Sequence, residues 1–205
     1  MTGARSDAGL LMLHALRCGG YAGLSRLSAT TGLSESEVES ELIDLAVDGH
    51  VTRLSGGLGA WGITDTGREA DAERIAAQLD AAGARSAVTA AFDRFLVLNP
   101  ELLDLCTAWQ LRPSGGETVV NDHRDPAYDA RVLDRFTDLH ERALPVYHDL
   151  EAALPRFGRY RARLADALDR ARSGELTYVT DTTASFHTVW AELHEDLLST
   201  LGIPR

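Results

Sequence analysis

The chain has 205 residues, 31 of them acidic and 20 basic, for a formal net charge of −11. Every basic residue is an arginine, which excludes a Schiff-base lysine, a Gly-Lys-Ser/Thr phosphate loop and a kinase-type phosphate clamp. Charged residues at 25% suit an ordinary folded protein rather than a disordered one.

In chain order, the first predicted helix covers residues 7–17 and stops at Gly19-Gly20. Its run 10–16 is too short to span a bilayer and is interrupted by His14. With Asp7 and no apolar leader core, the chain reads as cytoplasmic, with no membrane contact. Cys18 and Cys106 lie in apolar helical stretches and read as reduced core residues rather than a disulfide or a zinc site.

A short helix is predicted over 24–31. Ser34 then caps the next helix, and Glu37 completes a capping box. Val38, Leu42, Leu45 and Ala46 share one face of that helix, and Gly49 stops it. Residues 51–54 and 61–64 read as paired strands around a glycine-rich tip at 55–59, and Thr66-Gly67 opens a helix through the eighties.

Further helices are predicted up to Leu98, from Asn99-Pro100 through Trp109 and Leu111, over 127–154 with a kink at Pro145, over 158–172, and over 184–201. Residues 112–126 form the longest polar interval.

The order helix, helix–turn–helix, β-hairpin, helix resembles the winged helix-turn-helix of MarR-like bacterial regulators. The resemblance rests on Leu27, Gly32-Leu33-Ser34, Val38, Leu42, Leu45, Gly49-His50-Val51-Thr52-Arg53, Trp61-Gly62-Ile63-Thr64 and Gly67-Arg68. It implies a winged helix-turn-helix with a small hairpin wing over 1–83; the remainder reads from its own residues as an all-helical domain over 84–205, so the protein is expected to be mainly α. The stretch 185–198 looks like the C-terminal signature of an uncharacterised bacterial family that pairs a winged helix with a helical domain. It is also loosely similar to helical segments that accompany phosphoenolpyruvate-utilising enzymes, which implies at most an accessory role.

The resemblance implies transcription regulation by a DNA-binding homodimer that senses a small-molecule effector. Arg26, Ser34, Ser36, Glu37, Ser40 and Arg53 are the expected DNA contacts, with the serines near the groove and the arginines at its rim. Charge opposes this, because phosphate contacts need cations. Residues 34–48 hold six acids and no arginine, and residues 1–70 hold nine acids against five arginines. The alternative is a winged helix that contacts a partner protein, with Glu35 to Glu41 a solvated face near the positive end of the helix dipole.

At 100° per residue, His187, Trp190 and His194 cluster with Leu198 and Leu201 on the last helix. Glu192, Glu195, Asp196 and Ser199 fall opposite. His140 shares the apolar face of the 127–154 helix. One reading makes each histidine a satisfied core residue. The other is an effector pocket lined by Trp109, His123, His140, His187, Trp190 and His194. Asp122-His123-Arg124-Asp125 reads as a solvated turn or, alternatively, as a base with orienting carboxylates. No catalytic group, cofactor or metal site is expected. Seven-residue spacing sets His187 and His194 about 10 Å apart along the axis, too far for one ion unless another helix supplies the remaining ligands.

Overall fold

Helix α1 (Thr2–Gly19) presents Met12, Leu13 and Leu16 to the first hydrophobic core. The computed structural model describes residues 2–54 and 59–204, and of residues 2–7 the backbone alone. Helix α2 (Leu24–Thr31) adds Leu27 to that core, and α3 (Glu35–Val47) adds Val38, Leu42 and Leu45. Between α2 and α3 the chain turns at Gly32, whose φ of 78° lies in the left-handed region that glycine reaches without steric cost.

The capping box predicted at Ser34 is present. The Glu37 backbone N–H donates to Ser34 Oγ, and the Ser34 N–H donates to Glu37 Oε2 at 2.8 Å. Strands β1 (Val51–Arg53) and β2 (Trp61–Ile63) pair antiparallel, with Val51 opposite Ile63 and Arg53 opposite Trp61. Ala22 pairs with Trp61 on the other side of β2, so the hairpin gains a third, one-residue rung ahead of α2. Of the expected tip, residues 55–58 lie outside the described residues. Helix α4 (Asp65–Ala81) starts under the cap of Thr64, whose Oγ1 accepts the Gly67 N–H at 3.0 Å.

The second half follows with α5 (Arg85–Gln110), β3 (Leu111–Ser114), β4 (Glu117–Val120), α6 (Pro126–Ala153), α7 (Gly158–Arg172) and α8 (Phe186–Leu201). The chain divides into two compact units: Met1–Gly83 with His194–Arg205, and Ala84–Leu193. Helix α8 thus begins in one unit and ends in the other. The protein is mainly helical. None of the described helices is long and apolar enough to cross a membrane.

Two expectations for the second half are corrected. It is not all-helical: much of the polar interval at 112–126 belongs to the hairpin β3–β4, with Leu111 opposite Val120 and Ser114 opposite Glu117. Gly115 and Gly116 form its turn with φ of 61° and 88°, values that suit a tight hairpin turn. Nor does the chain break at Asn99-Pro100, because α5 runs through Pro100. An internal proline costs about 3 kcal/mol or more. Phe95, Leu102, Leu105 and Trp109 are all buried along this helix, and each large buried side chain contributes roughly 1.5–3 kcal/mol. The residues flanking the proline therefore offset its cost.

Asn99 gains a role from this continuity. Its Oδ1 accepts the indole N–H of Trp190 at 3.0 Å, and Trp190 stacks on Phe95 with ring centroids 4.7 Å apart. Replacing Asn99 with leucine strands a buried donor. The expected loss of stability is about 1–3 kcal/mol, read from the urea midpoint at unchanged slope.

Candidate functional site

The residues with the most chemistry per volume lie in the N-terminal unit, and the sequence alone does not mark them as a site. His14 and Cys18 stand four residues apart on α1, so both side chains lie on one helical face. Asp71 comes from α4 and Asp196 from the last turns of α8. His14 is 4% exposed, and both aspartates are 1% exposed. The imidazole bridges the carboxylates. Nδ1–H donates to both Asp71 oxygens at 3.2 Å, and Nε2–H donates to Asp196 Oδ1 at 3.0 Å. Thr200 Oγ1 donates to the same Asp196 oxygen at 3.0 Å, and Cys18 Sγ lies 3.6 Å from His14 Nε2.

Electrostatics follow from this geometry. Burial disfavours a charged imidazole, but the Cys18 sulfur and the Asp196 and Asp71 carboxylates outweigh it. The His14 pKa is held well above its ordinary value. Burial pushes the Cys18 thiol up, and His14 opposes that rise. A cleft of about 310 Å³ adjoins the cluster through Asp71 and is lined also by Arg17, Leu198, Ser199 and Ile203. Ser199 Oγ is buried without a hydrogen-bond partner among the described residues.

The expected phase of α8 is corrected here. Glu192 and Asp196, expected to face away from the apolar side, are buried. Asp196 meets His14, and Glu192 accepts from Arg163 Nη2 at 2.6 Å. The apolar stripe runs through Phe186, Val189, Trp190, Leu193 and Leu197, while His187 and His194 sit half-buried at its edge.

The six expected effector residues are not gathered into one cluster. Trp109 is buried, and His123 packs its ring 4.6 Å from it. His123 takes a φ of 57°, rare outside glycine, and its Nδ1 lies 3.0 Å from Asp129 Oδ2. Asn121 Nδ2 donates to the Trp109 carbonyl at 3.0 Å and to Asp129 Oδ1 at 2.7 Å, completing a polar network at the foot of the second hairpin. His140 is half-buried, 5.6 Å from the Tyr147 ring and 6.0 Å from Phe186, which in turn stacks on Trp190. Burial lowers the His140 pKa. His187 follows Phe186 on α8, whereas His194 belongs to the other unit. Of the polar run, Asp125 caps α6 by accepting from the Ala127 and Tyr128 N–H groups. Asp122 pairs with Arg112.

The six expected DNA contacts lie on or beside α2, α3 and the first hairpin. Ser34, Ser36, Glu37, Ser40 and Arg53 are exposed, and Arg26 is half-buried and donates to the Tyr21 carbonyl. Ser34 and Glu37 are engaged with each other: Ser34 Oγ donates to Glu37 Oε2 at 2.6 Å, which holds the Glu37 carboxyl below its usual range. Arg53 lies over the Trp61 ring at 5.9 Å. The outward face of α3 also carries Ile43, 53% exposed, and Val47, 82% exposed. Both cysteines are free, and burial raises the Cys106 thiol to about 11.

No family model, no curated protein and no solved structure matches this chain.

Proposed function

We propose that residues 1–83 form a winged helix-turn-helix of the MarR-like kind that binds DNA as a homodimer, and that the helical second unit senses a small effector. The observation that carries this reading is the order of elements around β2. Helix α1 is followed by the Ala22 rung, then α2, the Gly32 turn, the capped α3 and the β1–β2 hairpin. In such a module the second helix of the pair enters the major groove and the hairpin touches backbone. Helix α3 would then present Ser36, Ser40, Ile43 and Val47, all exposed, to base edges, where apolar groups meet thymine methyls. Arg26 and Arg53 would meet phosphates.

Effector sensing draws on buried polar atoms of the second unit that have no hydrogen-bond partner among the described residues: Trp109 Nε1, His140 Nδ1 and Tyr147 Oη. A ligand that pairs with His140 Nδ1 and Tyr147 Oη, whose rings lie 5.6 Å apart, recovers the desolvation cost of each. If it prefers one spacing of the two recognition helices, it shifts the DNA-binding population. Exposed Leu96, Val97 and Leu103 on α5 supply apolar surface for the dimer.

Mobility shift on genomic fragments across a salt series tests the DNA reading. Arg53→Ala is expected to leave the fold intact. It should lower the log–log salt slope by about 0.9 for each phosphate no longer neutralised, or about 2 in a dimer. No retardation at low salt, together with no change on Arg53→Ala, overturns it.

A second reading is favoured by one specific observation. Ile43 and Val47 are exposed on a helix bearing Glu35, Glu37, Glu39, Glu41, Asp44 and Asp48 and no arginine. That face suits a partner protein with a basic rim and an apolar centre. Stoichiometric capture of one protein that is abolished by Val47→Glu supports this alternative, and recovery of DNA alone refutes it.

A further inference from the structure

We propose that His14, Cys18 and Asp196 form a three-ligand site for a zinc-type divalent cation, with Asp71 orienting the imidazole. The donors are His14 Nε2, Cys18 Sγ and a carboxylate oxygen of Asp196, and these atoms all lie within 4.8 Å of one another. Bonds of about 2.0–2.3 Å in a tetrahedral zinc site set neighbouring donors roughly 3.3–3.7 Å apart. Here His14 Nε2 lies 3.0 Å from Asp196 Oδ1 and 3.6 Å from Cys18 Sγ. Small side-chain rotations therefore suffice to admit the ion.

Asp71 is the independent observation. A metal-bound histidine ordinarily gives its other ring N–H to a carboxylate, which fixes the tautomer and raises ligand basicity. Asp71 receives His14 Nδ1–H on both oxygens, and Nε2 is thereby directed at the remaining two donors. The donor set selects the kind of ion. One thiolate, one imidazole and one carboxylate suit a borderline-soft transition metal, whereas magnesium and calcium take oxygen shells. Binding replaces the proton on His14 Nε2 and that of the Cys18 thiol, and both pass to solvent. Three protein ligands leave a fourth position for water or a small anion. Cys18 is partly exposed, and the cleft beside Asp71 gives a second approach.

This proposal stands apart from DNA binding, and cobalt(II) tests it. The full chain, stripped with chelator and reduced, is titrated with cobalt(II) and followed by absorption. The expected result is saturation at one equivalent, with visible bands of tetrahedral intensity and a near-ultraviolet thiolate-to-cobalt band. Zinc should displace both. Cys18→Ser removes the thiolate band, and Cys106→Ser keeps it. Asp71→Asn keeps the band but weakens affinity 10–100-fold, as loss of an outer carboxylate does. Helical circular dichroism establishes that each variant is folded. If Cys18→Ser does not fold, the decision rests on the wild-type spectrum and on Cys106→Ser. Absence of a thiolate band in the folded wild type, or its loss on Cys106→Ser, overturns the assignment.

Discussion

Replacing His14 with alanine is expected to lower the unfolding free energy of the chelator-treated protein by about 3–5 kcal/mol, the cost of breaking a buried ion pair from one side. The imidazolium faces Cys18 from its own helix, Asp71 from α4 and Asp196 from α8. Without it, Asp71 and Asp196 lose the cation that bridges them. Asp71→Asn should cost less, because the imidazolium keeps Asp196 as partner and the amide can still accept from Nδ1–H. Urea midpoints give that order directly, and an equal or reversed order would refute the bridging role. The pH dependence has a fixed sign. The folded pKa of His14 is raised, so the stability its proton contributes is fully present below about pH 6.5, the unfolded value. That stability is lost as pH rises through the higher folded value. The wild type should lose stability over that window, and His14→Ala should lack that component of the slope.

How much of the fold and the site is legible in the sequence depends on the range of each signal. Helices α2 and α7 stand over 24–31 and 158–172 as predicted, and the Ser34–Glu37 box is present, because caps and glycine stops act within a few residues. The second hairpin also has a local signal, Gly115-Gly116 followed by Val119-Val120, but the polar composition around it masks that signal. Local sterics make Pro100 a boundary, yet the burial of Phe95 and Leu102 on either side decides the matter. For α8, two neighbouring stripes are both plausible helical faces. The one built on His187 and His194 loses to the one through Phe186, Val189, Leu193 and Leu197. The choice turns on tertiary packing, since His14, which Asp196 meets in the core, lies at the other end of the chain. The spacing of His14 and Cys18 is visible in the sequence. What gives that spacing meaning, the approach of Asp71 and Asp196, is not.

Gly67→Ala provides the sharpest test of the junction between the first hairpin and α4. In an open helix this change is favourable by up to about 1 kcal/mol, from helix propensity alone. Here an added Cβ would run into the His50 carbonyl oxygen and crowd Ile63 Cγ1. That carbonyl already accepts the Thr64 N–H at 3.0 Å, and the Thr64 hydroxyl, which donates to the Gly49 carbonyl at 2.7 Å, lies 3.0 Å from it, so it cannot swing away cheaply. A backbone oxygen gives way less readily than the end of a flexible side chain. Overpacking of this kind costs about 1–3 kcal/mol, sometimes more. The clash therefore exceeds the propensity gain, and a net loss of about 2 kcal/mol is expected in urea denaturation. Gly9 is a counterexample in the same unit: an added Cβ there meets nothing closer than 3.6 Å, so Gly9→Ala should be neutral or slightly stabilising. If Gly67→Ala proved as harmless as Gly9→Ala, the start of α4 could not be pressed against the end of the α3–β1 turn. The Thr64 cap and the placement of the hairpin beside α3 would then have to be redrawn. If the loss is found, Gly67 holds β1 and α4 in close contact. In the DNA-binding reading, the same variant should then weaken retardation in parallel with stability, since Arg53 rides on that strand.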